Sequence, residues 1–195
     1  MNIFSSFSIY EYYWKLAGNE LPYPIVHSIR RDIPYFHEKG GFGLFTQYSS
    51  KNVGTLGLNY YVAAKLLWDV NANVDKILDD FYHKFYGPAW EPMKKYYESL
   101  EKAAIDSNVQ FPAEYSELPL IFNKKLLSEC ELYLNQAKAI VQGESTYTSR
   151  INMSEISFGY VKKAMEYVNS LKQSLPSSGW YNGKTQLDLT VSKNL

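Results

Sequence analysis

The apolar positions of this chain change their period near residue 50. Before that point two short runs mix aromatic, β-branched and serine residues without helical spacing: Ile3 to Tyr13, and Phe42 to Tyr48, the second entered through Gly40-Gly41. Runs of this kind read as strands. Between them, Asp32 precedes Ile33-Pro34-Tyr35-Phe36-His37-Glu38-Lys39, with proline near the expected first helical turn and glycine just past the end. Strand, loop, short helix, Gly-Gly and strand form a βαβ order, which predicts parallel strands rather than a hairpin.

After Ser50 every strong pattern has helical spacing. Gly57 to Asp69 is a nearly all-apolar helix. In Asn73 to Gly87, the residues Val74, Ile77, Leu78, Phe81 and Phe85 fall on one face, Asn73 can cap, and Asp75 suits the positive first turn. From Pro88 the stripe continues through Trp90, Met93, Tyr97, Leu100 and Ala104 to about Ser107. Leu127, Cys130, Leu134, Ala137 and Val141 mark a fourth helix, and Tyr160, Ala164, Val168 and Leu171 a fifth. Helices with such stripes build a bundle or a layered helical cap. Ser107 to Pro119, with two prolines, reads as a loop, and the tail from Pro176 as weakly structured.

Composition narrows the classes of function. At 195 residues the chain can bury one or two cores, but it falls at the bottom of the size range of a full (β/α)8 barrel. Twenty basic residues balance twenty acidic ones, and no basic stripe is present to follow a phosphate backbone, which argues against nucleic acid as a partner. The single Cys130 sits at an apolar helical position and reads as a buried thiol, so no internal disulfide or redox chemistry is expected. The start of the chain lacks the pattern of a signal peptide, and no apolar run approaches the roughly 18 residues of a membrane span. A soluble, cytoplasmic chain is the expectation. Asn152-Met153-Ser154 fits a glycosylation triplet but lies at an expected helix start.

Candidate chemistry gathers at the two strand ends. In Tyr10-Glu11-Tyr12-Tyr13-Trp14 one carboxylate stands among four aromatic rings, and the carboxyl ends of parallel strands open onto the ligand face of α/β folds. Rings cover the apolar faces of sugars, carboxylates accept from their hydroxyls, and a desolvated carboxyl is suited to general acid work. Glu11, Tyr12 and Trp14 are therefore candidate binding residues. In Phe45-Thr46-Gln47-Tyr48-Ser49-Ser50, Gln47 can donate and accept and Tyr48 can stack. The competing reading is plain packing of the rings, pairing of Glu11 with a base, and ordinary loop polarity.

Glycoside hydrolysis by the usual route needs two facing carboxyls, about 5 Å apart for retention and about 6.5 to 9.5 Å for inversion. Only Glu11 lies at an expected strand end, so no catalytic pair is assigned. His27, His37 and His83 lack metal spacing, and Gly40-Gly41-Phe42-Gly43 fits neither a dinucleotide fingerprint nor a P-loop. No G-x-S-x-G elbow exists. No metal or cofactor is expected.

The motifs Tyr10-Glu-Tyr-Tyr13, Arg31-Asp-Ile33, Gly41-Phe-Gly-Leu-Phe45, Ala63-Ala-Lys-Leu-Leu-Trp-Asp69 and Phe85-Tyr-Gly-Pro-Ala89, in this order and spacing, resemble the domain of unknown function 4838 family. That family is related in architecture to the alpha-glucuronidases of glycoside hydrolase family 67 and, more distantly, to family 20 hexosaminidases. The likeness runs from about Ile9 to Leu100, with Arg150 and its helix a looser match. It implies that residues 1–70 are the carboxy-terminal part of a (β/α)8 barrel, with two parallel strands as about its seventh and eighth. Residues 71–175 then form a mostly α-helical domain, and 176–195 a weakly structured tail. Leu58 to Trp68 becomes the last barrel helix, lacking a polar face because strands cover one side and the extra helices the other. The implied activity is that of a carbohydrate-active, glycoside hydrolase-like protein with its acid and base upstream. The implied partners are a carbohydrate ligand and an N-terminal barrel segment or a second copy as a homodimer. A non-catalytic helical interaction, dimerisation or glycan-binding module is the alternative.

Overall fold

The first extended run folds as β1 (Phe7–Tyr10) and the second as β2 (Gly41–Phe45), in a computed structural model that describes residues 6–13, 21–46, 53–109 and 117–174. The strands pair in parallel, Phe7 opposite Gly41, Ser8 opposite Gly43, Ile9 opposite Leu44 and Tyr10 opposite Phe45. Phe42 is thus surplus at a bulge, and Gly41 and Gly43 fall on opposite faces of the sheet. Glu11 extends the ladder by donating its backbone N–H to the Phe45 carbonyl at 3.0 Å. Ile3 to Ser5 and Gln47-Tyr48, also read as strand, lie outside the described residues.

Helix α1 (Val26–Glu38) joins the strands and packs on β2. A Cβ added at Gly41 would stand 2.7 Å from the Phe36 carbonyl oxygen, so the missing side chain lets helix backbone and strand touch. The helix begins well before Asp32, and Pro34 lies in its interior rather than its first turn, which corrects the sequence expectation. The cause is a cap from elsewhere. Ile25, at the N-cap position, offers no side-chain acceptor, and the Glu101 carboxylate accepts instead from the His27 backbone N–H at 2.7 Å. The same oxygen meets His27 Nδ1 at 2.8 Å. A cap delivered across 74 residues leaves no local pattern to read.

The rest is helical: α2 (Val53–Trp68), α3 (Val74–Tyr86), a 3-10 turn at Gly87–Ala89, α4 (Trp90–Asp106), α5 (Leu118–Ile121), α6 (Lys124–Ile140) and α7 (Ser145–Ser174). Asn73 caps α3 by accepting from the Lys76 N–H at 3.0 Å, as its position predicted, and Asn123 caps α6 in the same way through Leu126. The short α5 starts inside the expected loop, with Pro119 in its first turn, where the absent N–H costs nothing. Helix α7 starts at Ser145, ahead of the expected start near Asn152. Its buried stripe is Ile151, Ser154, Ser157, Phe158, Val161, Met165 and Val168, while Tyr160 faces out. Two serines, Ser154 and Ser157, in that stripe hide the period from an apolar count.

Helix α2 packs on α1 on one side and on α3 and α7 on the other. Its burial is less complete than an all-apolar helix implies, since Leu67 is exposed and Trp68 is 93% exposed. At Gly54 a Cβ would lie 2.5 Å from the Met153 carbonyl oxygen, so α2 and α7 cross with backbones in contact. One apolar cluster runs from Tyr13 through α1 and α2 to Met165, with α4 lying along α6 at its centre. Within it, the Tyr86 and Tyr97 hydroxyls meet at 2.9 Å and each reaches Ser154 Oγ, at 3.2 and 3.3 Å. Tyr97 also donates to the Gly54 carbonyl at 3.4 Å, so this polar knot ties α2, α3, α4 and α7.

The end of α3 is fixed by Arg150 of α7. Its guanidinium donates to the Lys84 and Phe85 carbonyls at 3.1 and 2.8 Å and lies 4.7 Å from the centre of the Phe85 ring. The chain then turns at Gly87, whose φ of 53° and close approach to the Tyr147 ring both require glycine.

Candidate functional site

Alternation along the two strands decides what the site presents. Ile9 and Leu44 face α1, and Leu44 packs against the core. Ser8, Gly43, Tyr10 and Phe45 therefore occupy the other face. Tyr10 and Phe45 stand at its carboxyl end, 51% and 65% exposed, with ring centres 5.1 Å apart. The Tyr12 ring lies 4.9 Å from that of Tyr10, so the three rings form one row that crosses from beyond β1 onto β2. Neither Tyr10 nor Phe45 is among the binding residues expected from sequence, because the register that aims them depends on the bulge at Phe42.

Glu11 stands between Tyr10 and Tyr12 in the chain. It is half-buried, and its Oε1 accepts from the Tyr12 backbone N–H at 2.9 Å. Hydrogen bonding to Tyr10 holds the Tyr12 phenol above its ordinary range. Tyr13 behaves differently from its neighbours: it is 1% exposed, and its hydroxyl has no hydrogen-bond partner among the described residues. Burial, and then the negative charges of Glu11 and Asp32, drive its pKa upward. The packing alternative thus holds for Tyr13, while Tyr10 and Phe45 remain on the surface. Trp14, Gln47 and Tyr48, the other expected binding residues, lie outside the described residues.

Asn59 of α2 holds this end of the sheet. Buried among apolar neighbours, its Nδ2 donates to the carbonyls of Tyr13 and Tyr23 at 3.2 and 3.0 Å, and its Oδ1 accepts from the Ile25 N–H at 3.0 Å. The amide therefore satisfies backbone groups on both sides of the segment that leaves β1 and enters α1. Nothing in the apolar run around Asn59 announces that duty, except the presence of one amide in it.

Two open concavities lie away from the strands. One of about 320 Å³ sits between α4, α5 and α6, the other, of about 360 Å³, between α4 and α6. Their charged groups are already matched as Lys102 with Asp106, Lys125 with Glu129 and Lys95 with Glu91, which leaves no converging polar set for a ligand. Among the described residues no three His, Cys, Asp or Glu side chains gather as a metal site, and no helix is long and apolar enough to cross a membrane.

Comparison with known proteins adds one match. The family model described as "Domain of unknown function (DUF4838)" matches residues 1–99, the part that contains β1, β2 and the first helices. No curated protein and no solved structure matches.

Proposed function

The chain belongs to the domain of unknown function 4838 family, and on that premise we propose that it is the carboxy-terminal portion of a glycoside hydrolase-like, alpha-glucuronidase-like carbohydrate-active protein. In this reading β1, α1 and β2 are the closing units of a (β/α)8 barrel, and the helices from α3 onward are its annex. The chain contributes sugar-binding side chains. The observation that carries the reading is the meeting of Glu11, Tyr12 and exposed aromatic rings at the carboxyl ends of two parallel strands. Rings offer apolar faces, while a carboxylate and phenols offer acceptors and donors, the mixture that polyhydroxylated ligands require.

Hydrolysis would need a second carboxyl facing Glu11. In this reading it resides on earlier strands of the barrel, and this chain binds sugar without cleaving it. The test is a pair of assays on the chain, turnover of aryl glycosides and glucuronides and equilibrium binding of oligosaccharides. Binding without turnover is expected, with Glu11→Gln weakening binding about tenfold. Absence of any binding would refute the proposal.

A non-catalytic helical interaction module is the second reading, and the bare Trp68 at the end of α2, beside exposed Leu67, favours it. Its expected result is self-association that Trp68→Ala abolishes while leaving sugar binding intact.

A further inference from the structure

The row of rings at the strand ends is longer than one sugar. Tyr12, Tyr10 and Phe45 follow one another at 4.9 and 5.1 Å between ring centres, and the row bridges two strands. It stands on the sheet face opposite α1, so the hydrophobic core does not consume it, and Tyr10 and Phe45 remain more than half exposed after packing against each other. Toward the amino ends Ser8 and Gly43 lie on the same face, and a Cβ added at Gly43 would meet nothing nearer than the Ser8 Cβ at 3.9 Å. The Tyr10 and Tyr12 hydroxyls, hydrogen-bonded to each other, border the rings with polar groups.

We propose that this row is a stacking platform for an extended glycan, engaging at least two consecutive sugar units, with Phe45 as the outlying contact that recognises chain length. The proposal rests on the carbohydrate reading above and adds the class of ligand: an oligosaccharide rather than a single sugar. The chemistry decides for a glycan over a polypeptide partner. A protein hot spot is an apolar anchor shielded from water, whereas here two of the three rings carry phenol hydroxyls at an exposed strand end. An extended sugar chain presents alternating apolar ring faces and hydroxyl rims that such a border serves. A single unit covers one ring and leaves Phe45 bare.

The experiment titrates the chain with the xylo-, cello- and chito-oligosaccharide series, from monosaccharide to hexasaccharide, by calorimetry. Affinity for the series that binds should rise about tenfold or more from one unit to three, since each added contact buries apolar surface on another ring. Phe45→Ala should erase that gain and leave monosaccharide affinity within about twofold, while Phe45→Trp retains it. Phe45 is exposed, so the variants keep the fold, which circular dichroism verifies. Affinity independent of length, or a Phe45→Ala variant that binds trisaccharide like the parent, overturns this proposal alone. Failure of every sugar to bind overturns the underlying carbohydrate reading as well. Sedimentation showing a dimer that Phe45→Ala dissociates, without sugar binding, would assign the rings to self-association and likewise overturn it.

Discussion

Replacing Asn59 by alanine tests whether one buried amide organises the strand end. The substitution removes the acceptor for the Ile25 N–H and both donors to the Tyr13 and Tyr23 carbonyls. Each buried backbone group left without a partner costs about 1–3 kcal/mol. The contact with Tyr13 is fully buried, whereas those with Tyr23 and Ile25 are only partly so, and water entering the vacated volume can recover some of their loss. A net destabilisation of about 3 kcal/mol follows, a large fraction of the stability of an ordinary domain. With a urea slope of about 2 kcal/mol per molar, the midpoint should fall by about 1.5 M in equilibrium unfolding followed by far-ultraviolet circular dichroism. Asn59→Asp keeps the acceptor but loses both donors and sets a charge against two carbonyls, so it should be at least as damaging. A loss under about 0.5 kcal/mol for Asn59→Ala would show that the three backbone groups find other partners, and would refute the reasoning.

Arg150→Ala removes two hydrogen bonds to the end of α3 and the contact with the Phe85 ring, and should cost about 2 kcal/mol by urea unfolding; Arg150→Lys, lacking the fork, should recover less than half. Gly87→Ala should destabilise by about 2 kcal/mol or more, and pairing it with Tyr147→Ala should return part of the loss, because backbone strain and side-chain collision act together at φ 53°. Glu101→Ala should cost about 1 kcal/mol by removing the cap of α1, and amide exchange should rise first in residues 26–29. Burial pushes the Cys130 thiol from 9.0 up to about 12, so the native chain should not react with a disulfide reagent at pH 8, whereas the urea-unfolded chain should react at once. The folded state holds that proton more tightly than the unfolded one. The associated stability is complete below pH 9 and is lost between pH 9 and 12, and a thiol that reacts in the native chain at pH 8 would contradict the packing of α6.

Periodicity read the middle of the molecule well, for a physical reason. Helices α3, α4 and α6 each bury one stripe, and α3 and α6 also cap themselves locally through Asn73 and Asn123, so their information is contained in a short window. The parallel pairing of β1 with β2 was legible from the helix and the Gly-Gly step between them. What escaped depends on contacts far apart in sequence. Helix α1 starts at Val26 because Glu101 arrives from α4, and α7 buries Ser154 because two tyrosines from other helices meet it there. At the strand ends the residue types were legible, but their division into buried Tyr13 and exposed Tyr10 and Phe45 required the register and the bulge at Phe42. A run of four aromatics does not by itself say which ring faces a ligand.

The most direct measurement is amide chemical-shift mapping of the nitrogen-15-labelled chain during titration with the oligosaccharide of highest affinity. Binding at the strand ends predicts that the largest shifts fall on Tyr10, Glu11, Tyr12 and Phe45, with α4 and α6 unmoved. Shifts confined to the helical annex, or no shifts at any attainable sugar concentration, would contradict it.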